Sequence, residues 1–151
     1  MFQRCIFCAM LCVPLAICAG DRPNLSGAWQ LNLDKSDRST EPAGLTWVID
    51  QKDETVHMAE VVKSPGGKEA KLEYDCTIDG KECAVHAKGQ PQNVSFWYNG
   101  GILVELVSAG HNHERIVKRR MRLSGDGKVM QVEWIPVAGG GHPANLVFEK
   151  Q

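Results

Sequence analysis

The chain has 151 residues, 17 Lys and Arg against 18 Asp and Glu, and a formal net charge of −1. That length suits one domain with a sizeable core. The near balance of charge gives no reason to expect nucleic acid or an anionic membrane as a partner.

Residues 1–20 read as a cleaved signal peptide. Arg4 supplies a positive start, residues 5–18 form a charge-free apolar run, and Ala19-Gly20 give a small-residue exit. Cleavage is expected after Ala19 or Gly20, just before the polar Asp21-Arg22-Pro23-Asn24. The run is short for a bilayer span, which wants about 20 apolar residues, and Pro14 interrupts it. The alternatives are an uncleaved anchor and a lipid anchor on Cys18. Leu15-Ala16-Ile17-Cys18 approaches a bacterial lipobox, although Ile17 is bulky for it. The mature chain, residues 21–151, is then a single domain in an exported, oxidising compartment, periplasmic or secreted.

Four of the six cysteines, Cys5, Cys8, Cys12 and Cys18, lie in the leader, which leaves Cys76 and Cys83. Asp79-Gly80 between them is a strong signal for a two-residue hairpin turn. That turn sets Cys76 opposite Cys83. Directly opposed residues have Cα atoms about 4.5–5.5 Å apart, within the roughly 4.4–6.8 Å that a disulfide accepts. A Cys76–Cys83 bond is predicted.

The rest of the chain alternates period-two segments with turn signals. Residues 27–33 place Trp29, Leu31 and Leu33 on one face, and residues 34–44 form a polar loop. Residues 45–49 align Leu45, Trp47 and Ile49; after a turn at 50–53, residues 55–62 align Val56, Met58 and Val62. Beyond the loop at 64–67, residues 71–77 carry Leu72, Tyr74 and Cys76, and residues 82–87 return with Cys83, Val85 and Ala87. A loop is expected at 89–92. Residues 94–98 and 102–108 form a hairpin about Asn99-Gly100-Gly101, and residues 115–123 and 129–135 another about 124–127. A glycine-rich connection at 136–143 leads to the last strand, 145–149, with Leu146 and Phe148 aligned.

These are ten strands with short links and no convincing helix, so an all-β antiparallel meander is predicted. Closing it into a barrel removes the exposed edges; a two-sheet β-sandwich is the alternative. A membrane barrel is not favoured. It wants strands of about 9–11 residues with an apolar outer band, and Lys71, Glu73 and Asp75 put charge on the outer face.

Gly27-Ala28-Trp29 on the first strand resembles the opening of lipocalins and the wider calycin superfamily. The stretch 24–36 is similar to the start of small exported bacterial proteins with lipocalin-like domains. Arg120-Met121-Arg122-Leu123-Ser124-Gly125-Asp126-Gly127-Lys128 and the closing Leu146-Val147-Phe148-Glu149-Lys150-Gln151 resemble their late hairpin and last strand. The resemblance implies a barrel in which Trp29 plugs the closed end and Arg120 or Arg122 packs across it. It also implies a small apolar or amphipathic ligand inside. The sequence departs from the usual lipocalin in its ten strands and in having no flanking helix. Ten is the count in fatty-acid-binding proteins, but their helix–turn–helix lid is missing.

The apolar candidates for lining such a cavity are Trp47, Met58, Tyr74, Phe96, Tyr98, Val104 and Leu106. In the basic run 118–122, alternation separates Arg119 from Lys118, Arg120 and Arg122. An inward Arg119, beside Val117 and Met121, would meet a ligand carboxylate; an inward Arg120 would cover Trp29. His111 and His113 have a spacing that suits zinc or copper, but no third ligand is evident and a solvated turn is the plainer reading. The sequons at Asn24 and Asn93 are read as chance. No nucleophile elbow, zinc-protease motif or phosphate loop occurs. No catalytic residue, cofactor or metal is assigned, and nothing bears on oligomeric state. The expected function is ligand binding in an exported barrel. The alternatives are a structural or interaction protein with a filled core, and an enzyme with a polar cluster inside the barrel.

Overall fold

A computed structural model describes residues 22–37 and 43–151. The expected leader, its cleavage site and Cys18 lie outside these residues. The strands are β1 (Gly27–Leu31), β2 (Gly44–Lys52), β3 (Thr55–Lys63), β4 (Glu69–Thr77) and β5 (Glu82–Ala87). They continue with β6 (Gln90–Asn99), β7 (Ile102–Ala109), β8 (Arg115–Leu123), β9 (Val129–Pro136) and β10 (Ala144–Lys150). No helix occurs among the described residues.

All ten strands belong to one antiparallel sheet in the order β4-β3-β2-β1-β10-β9-β8-β7-β6-β5. Every sequence neighbour pairs except β4 with β5, and the first strand pairs with the last. The sheet therefore curls into a nearly closed barrel rather than splitting into a sandwich. One apolar face turns inward. Trp29, Trp47, Met58, Phe96, Met121, Met130 and Phe148 are fully buried there. Burying side chains of this size is the main driving force for closure, at roughly 25 cal/mol per Å² of apolar area.

Two turns differ from expectation. Most of the loop expected at 89–92 is strand: Gln90 pairs with Ala87 and Pro91 with His86. The turn is Lys88-Gly89, with φ of 51° and 75°. Two successive positive φ values match the right-handed twist of the flanking strands and hold the hairpin tight.

The second difference is at Asp79-Gly80. Of the two residues only Gly80 has positive φ, at 80°, so the hairpin turn does not form. The Ile78 N–H donates to the Glu54 carbonyl and the Gly80 N–H to the Phe96 carbonyl, each at 2.8 Å. Those backbone groups are engaged by neighbouring segments and do not start a β4–β5 ladder. Cys76 instead pairs with Val56 on β3, and Cys83 with Val94 on β6. The predicted disulfide is present, with Cα atoms 5.7 Å apart, and it bridges an unpaired seam rather than a hairpin. The loop it closes is short, so the double replacement Cys76→Ser/Cys83→Ser is expected to lower stability by about 2 kcal/mol. Denaturant unfolding checks this; an unchanged midpoint would contradict it.

One end of the barrel is plugged. Leu25 and Trp29 have no solvent exposure, and the Trp29 indole N–H donates to the Leu25 carbonyl at 2.8 Å. The Tyr98 hydroxyl donates to the Pro23 carbonyl at 2.6 Å and accepts from the Gln51 side-chain amide at 2.8 Å. The cation over the Trp29 ring is Lys150, its Nζ 5.3 Å from the centroid, not Arg120 or Arg122 as expected. Trp29 and Lys150 are direct partners on β1 and β10. On β8 the inward positions belong to Val117, Arg119 and Met121, so Arg120 and Arg122 face out. Arg120 pairs with Glu133 at 2.7 Å. Gly27 lies beneath this arm, with φ of 146°, and an added Cβ would come within 2.5 Å of Lys150 Cε.

Candidate ligand cavity

Beyond the plug, the inward faces of β3, β7 and β8 carry charge. Glu105 and Arg119 are direct partners across β7–β8, and Glu60 is the partner of Trp47 across β2–β3. Arg119 Nη1 lies 3.1 Å from Glu105 Oε2 and 3.2 Å from Glu60 Oε2. Tyr74 donates its hydroxyl to Glu105 Oε1 at 2.8 Å, and the Trp47 indole N–H donates to Glu60 Oε2 at 2.9 Å. The guanidinium stacks over Trp134, 4.3 Å from its centroid, and lies 5.3 Å from that of Trp47.

The Glu105 side chain is fully buried and those of Arg119 and Glu60 are nearly so, at 9% and 13% exposure. Burial pushes the Glu105 carboxyl above the usual range, against the opposing pull of Arg119 and the Tyr74 hydrogen bond. Burial and then the charge of Glu105 push the Tyr74 phenol well above its ordinary value, which keeps it a donor. Burial alone would lower Arg119; the charges of Glu105 and Glu60 overcome it and raise the guanidinium further. Arg119 Nε is buried with no hydrogen-bonding partner.

This cluster forms one wall of a cavity of about 340 Å³. That volume is at the low end of the roughly 300–1,000 Å³ typical of small-molecule sites. Val62, Leu72, Val94, Val107, Val117 and Trp134 supply apolar surface, and Lys71 and Lys88 also border it.

The candidates from sequence are dispersed. Arg119 and Tyr74 line the cavity. Trp47 belongs to the polar cluster and stacks on Phe148 with centroids 4.3 Å apart. Met58 and Phe96 lie in the filled core, and Tyr98 in the plug. Val104 and Leu106 do not line the interior. Glu105 shares the inner face with its partner Arg119, which turns both apolar neighbours outward, where Val104 packs opposite Trp97 and Arg120. His113 approaches Glu82 at 3.0 Å and Asn93 at 3.2 Å on an exposed loop. No cluster of three potential metal ligands occurs among the described residues.

Glu60, Glu105 and Trp134 were not anticipated. Strict alternation would have found all three: Glu60 falls between Met58 and Val62, Glu105 between Leu103 and Val107, and Trp134 follows Met130 and Val132.

The fold is similar to that of lipocalin-like, calycin-type barrels. A secretory abundant heat soluble protein of Ramazzottius varieornatus superposes with a TM-score of 0.62 at 12% identity, over 83% of this chain and 94% of that one. Apo lipid binding protein 8 of Caenorhabditis elegans gives 0.61 at 12%, over 84% and 95%. The wild-type fluorescent protein UnaG gives 0.57 at 14%, over 83% and 96%. At these identities the likeness is one of fold. No family model matches the sequence, and no curated protein matches it at a significant level.

Proposed function

We propose that this chain is an exported barrel protein that binds one small apolar or amphipathic molecule in the cavity beside Arg119. The observation that carries the reading is the cavity itself: about 340 Å³ inside a barrel, with apolar walls and a polar cluster to orient a ligand. A barrel with a wholly filled core would serve as a structural or interaction protein instead. The leader-like residues 1–20 and the Cys76–Cys83 bond support export. The name of the similar lipid binding protein 8 agrees with a lipophilic ligand.

Trp134 borders the cavity, so occupancy should perturb intrinsic fluorescence. Medium-chain alkyl compounds are expected to change the emission, and Trp134→Phe to remove most of that change while calorimetric binding persists. A panel that gives neither heat nor a spectral response would leave the filled-core reading in its place.

A further inference from the structure

The polar wall holds two carboxylates and one guanidinium. Arg119 Nη1 alone serves Glu60 Oε2 and both oxygens of Glu105, and both oxygens of Glu105 are engaged. Two indoles lie against the guanidinium. Among the described residues of this cluster, Glu60 Oε1 and Arg119 Nη2 are left as an acceptor and a donor without a hydrogen bond, on residues that line the cavity. Arg119 Nε is also unpaired, but it is fully buried.

From this arrangement we infer that the cavity selects an uncharged amphiphile with a hydroxyl or primary-amide head and rejects a carboxylate. The inference rests on the cavity-binding reading. Lys71, paired with Glu73, and Lys88 border the cavity only from exposed positions; at the buried wall a ligand carboxylate would be a third anion around one cation, and like-charge repulsion disfavours it. An ammonium would pair with Glu60 but sit beside the guanidinium. A hydroxyl or amide head donates to Glu60 Oε1 and accepts from Arg119 Nη2. It satisfies both positions and brings no new charge out of water. The apolar residues beside the cluster then receive the alkyl chain.

Calorimetry at pH 8 with decanol, decanamide, decanoate and decylamine tests this directly. Decanol and decanamide are expected to bind at least about tenfold tighter than the two charged probes, as like-charge contacts in a buried site dictate. Glu60→Gln removes one of the two carboxylates and keeps an acceptor for Trp47. In that variant decanoate should come within about threefold of decanol, with the fold checked by circular dichroism. If the variant does not fold, the wild-type protein still decides. Decanoate should gain on decanol as pH falls towards decanoate's own pKa. Decanoate binding as tightly as decanol at pH 8 overturns the selectivity and leaves the binding function standing. Absence of binding by all four probes overturns both.

Discussion

Replacing Arg119 by methionine is expected to cost about 3–5 kcal/mol at neutral pH, the usual result of leaving a buried charge without its partner. Glu105 has no solvent exposure, so its carboxylate cannot turn to water. The loss should grow with pH. Glu105 already titrates above its ordinary value because burial favours the neutral acid, and Arg119 is the first influence that opposes burial. A carboxyl whose folded pKa is raised stabilises the fold below its unfolded pKa and loses that contribution as pH rises through the folded value. Without Arg119 the folded pKa climbs further, so the variant should be nearest to wild type in mild acid and weakest in mild alkali. Denaturant midpoints across pH 5 to 9 would show this. A pH-independent loss would mean that Glu105 is not the group left unpaired. Adding Glu105→Gln to the variant should flatten the dependence.

Trp29→Ala is the other substitution with a large expected effect, about 3–5 kcal/mol from lost packing and the cavity left behind. The indole is fully buried, and its N–H holds the segment that leads into β1 through the Leu25 carbonyl. Lys150→Met separates the cation from the ring. It removes only a cation–π contact of about 0.5–1 kcal/mol, so it should cost much less than Trp29→Ala. Thermal or denaturant unfolding of the two variants would establish the ranking, and equal losses would contradict the view that Trp29 acts mainly by packing.

The strands were legible because their apolar residues alternate and their turns carry Gly, Pro, Asn and Asp. Leu45, Trp47 and Ile49 on β2 and Leu146 and Phe148 on β10 fall inward as alternation requires. The Cys76–Cys83 bond was legible from spacing, but its context was not. Asp-Gly signals a hairpin locally, and the bonds from Ile78 to Glu54 and from Gly80 to Phe96 that override it join residues far apart in the sequence.

The site was half legible. Arg119 and Tyr74, both candidates from sequence, line the cavity; Glu60 and Glu105 are not among those candidates, because charge normally belongs on the solvent face. On β7 that habit also reversed the strand, placing Val104 and Leu106 inside. A buried carboxylate is tolerable only with a partner on another strand. Arg119 meets Glu105 on the adjacent strand and Glu60 from across the barrel, and neither meeting is visible in a local pattern. The cation over Trp29 was missed for the same reason, since β1 and β10 are the two ends of the meander.

That joining of first strand to last has a temporal side. Until residues 144–150 exist, β1 has β2 beside it and a bare edge on its other flank. Phe148 is then not available to stack on Trp47, and Lys150 is not over Trp29. A chain emerging from the ribosome in order therefore lacks its last stave until residues 144–150 have been made. Long-range pairing of this kind is slow to form. Closure is thus a late event, set by β10 rather than by the hairpins that precede it.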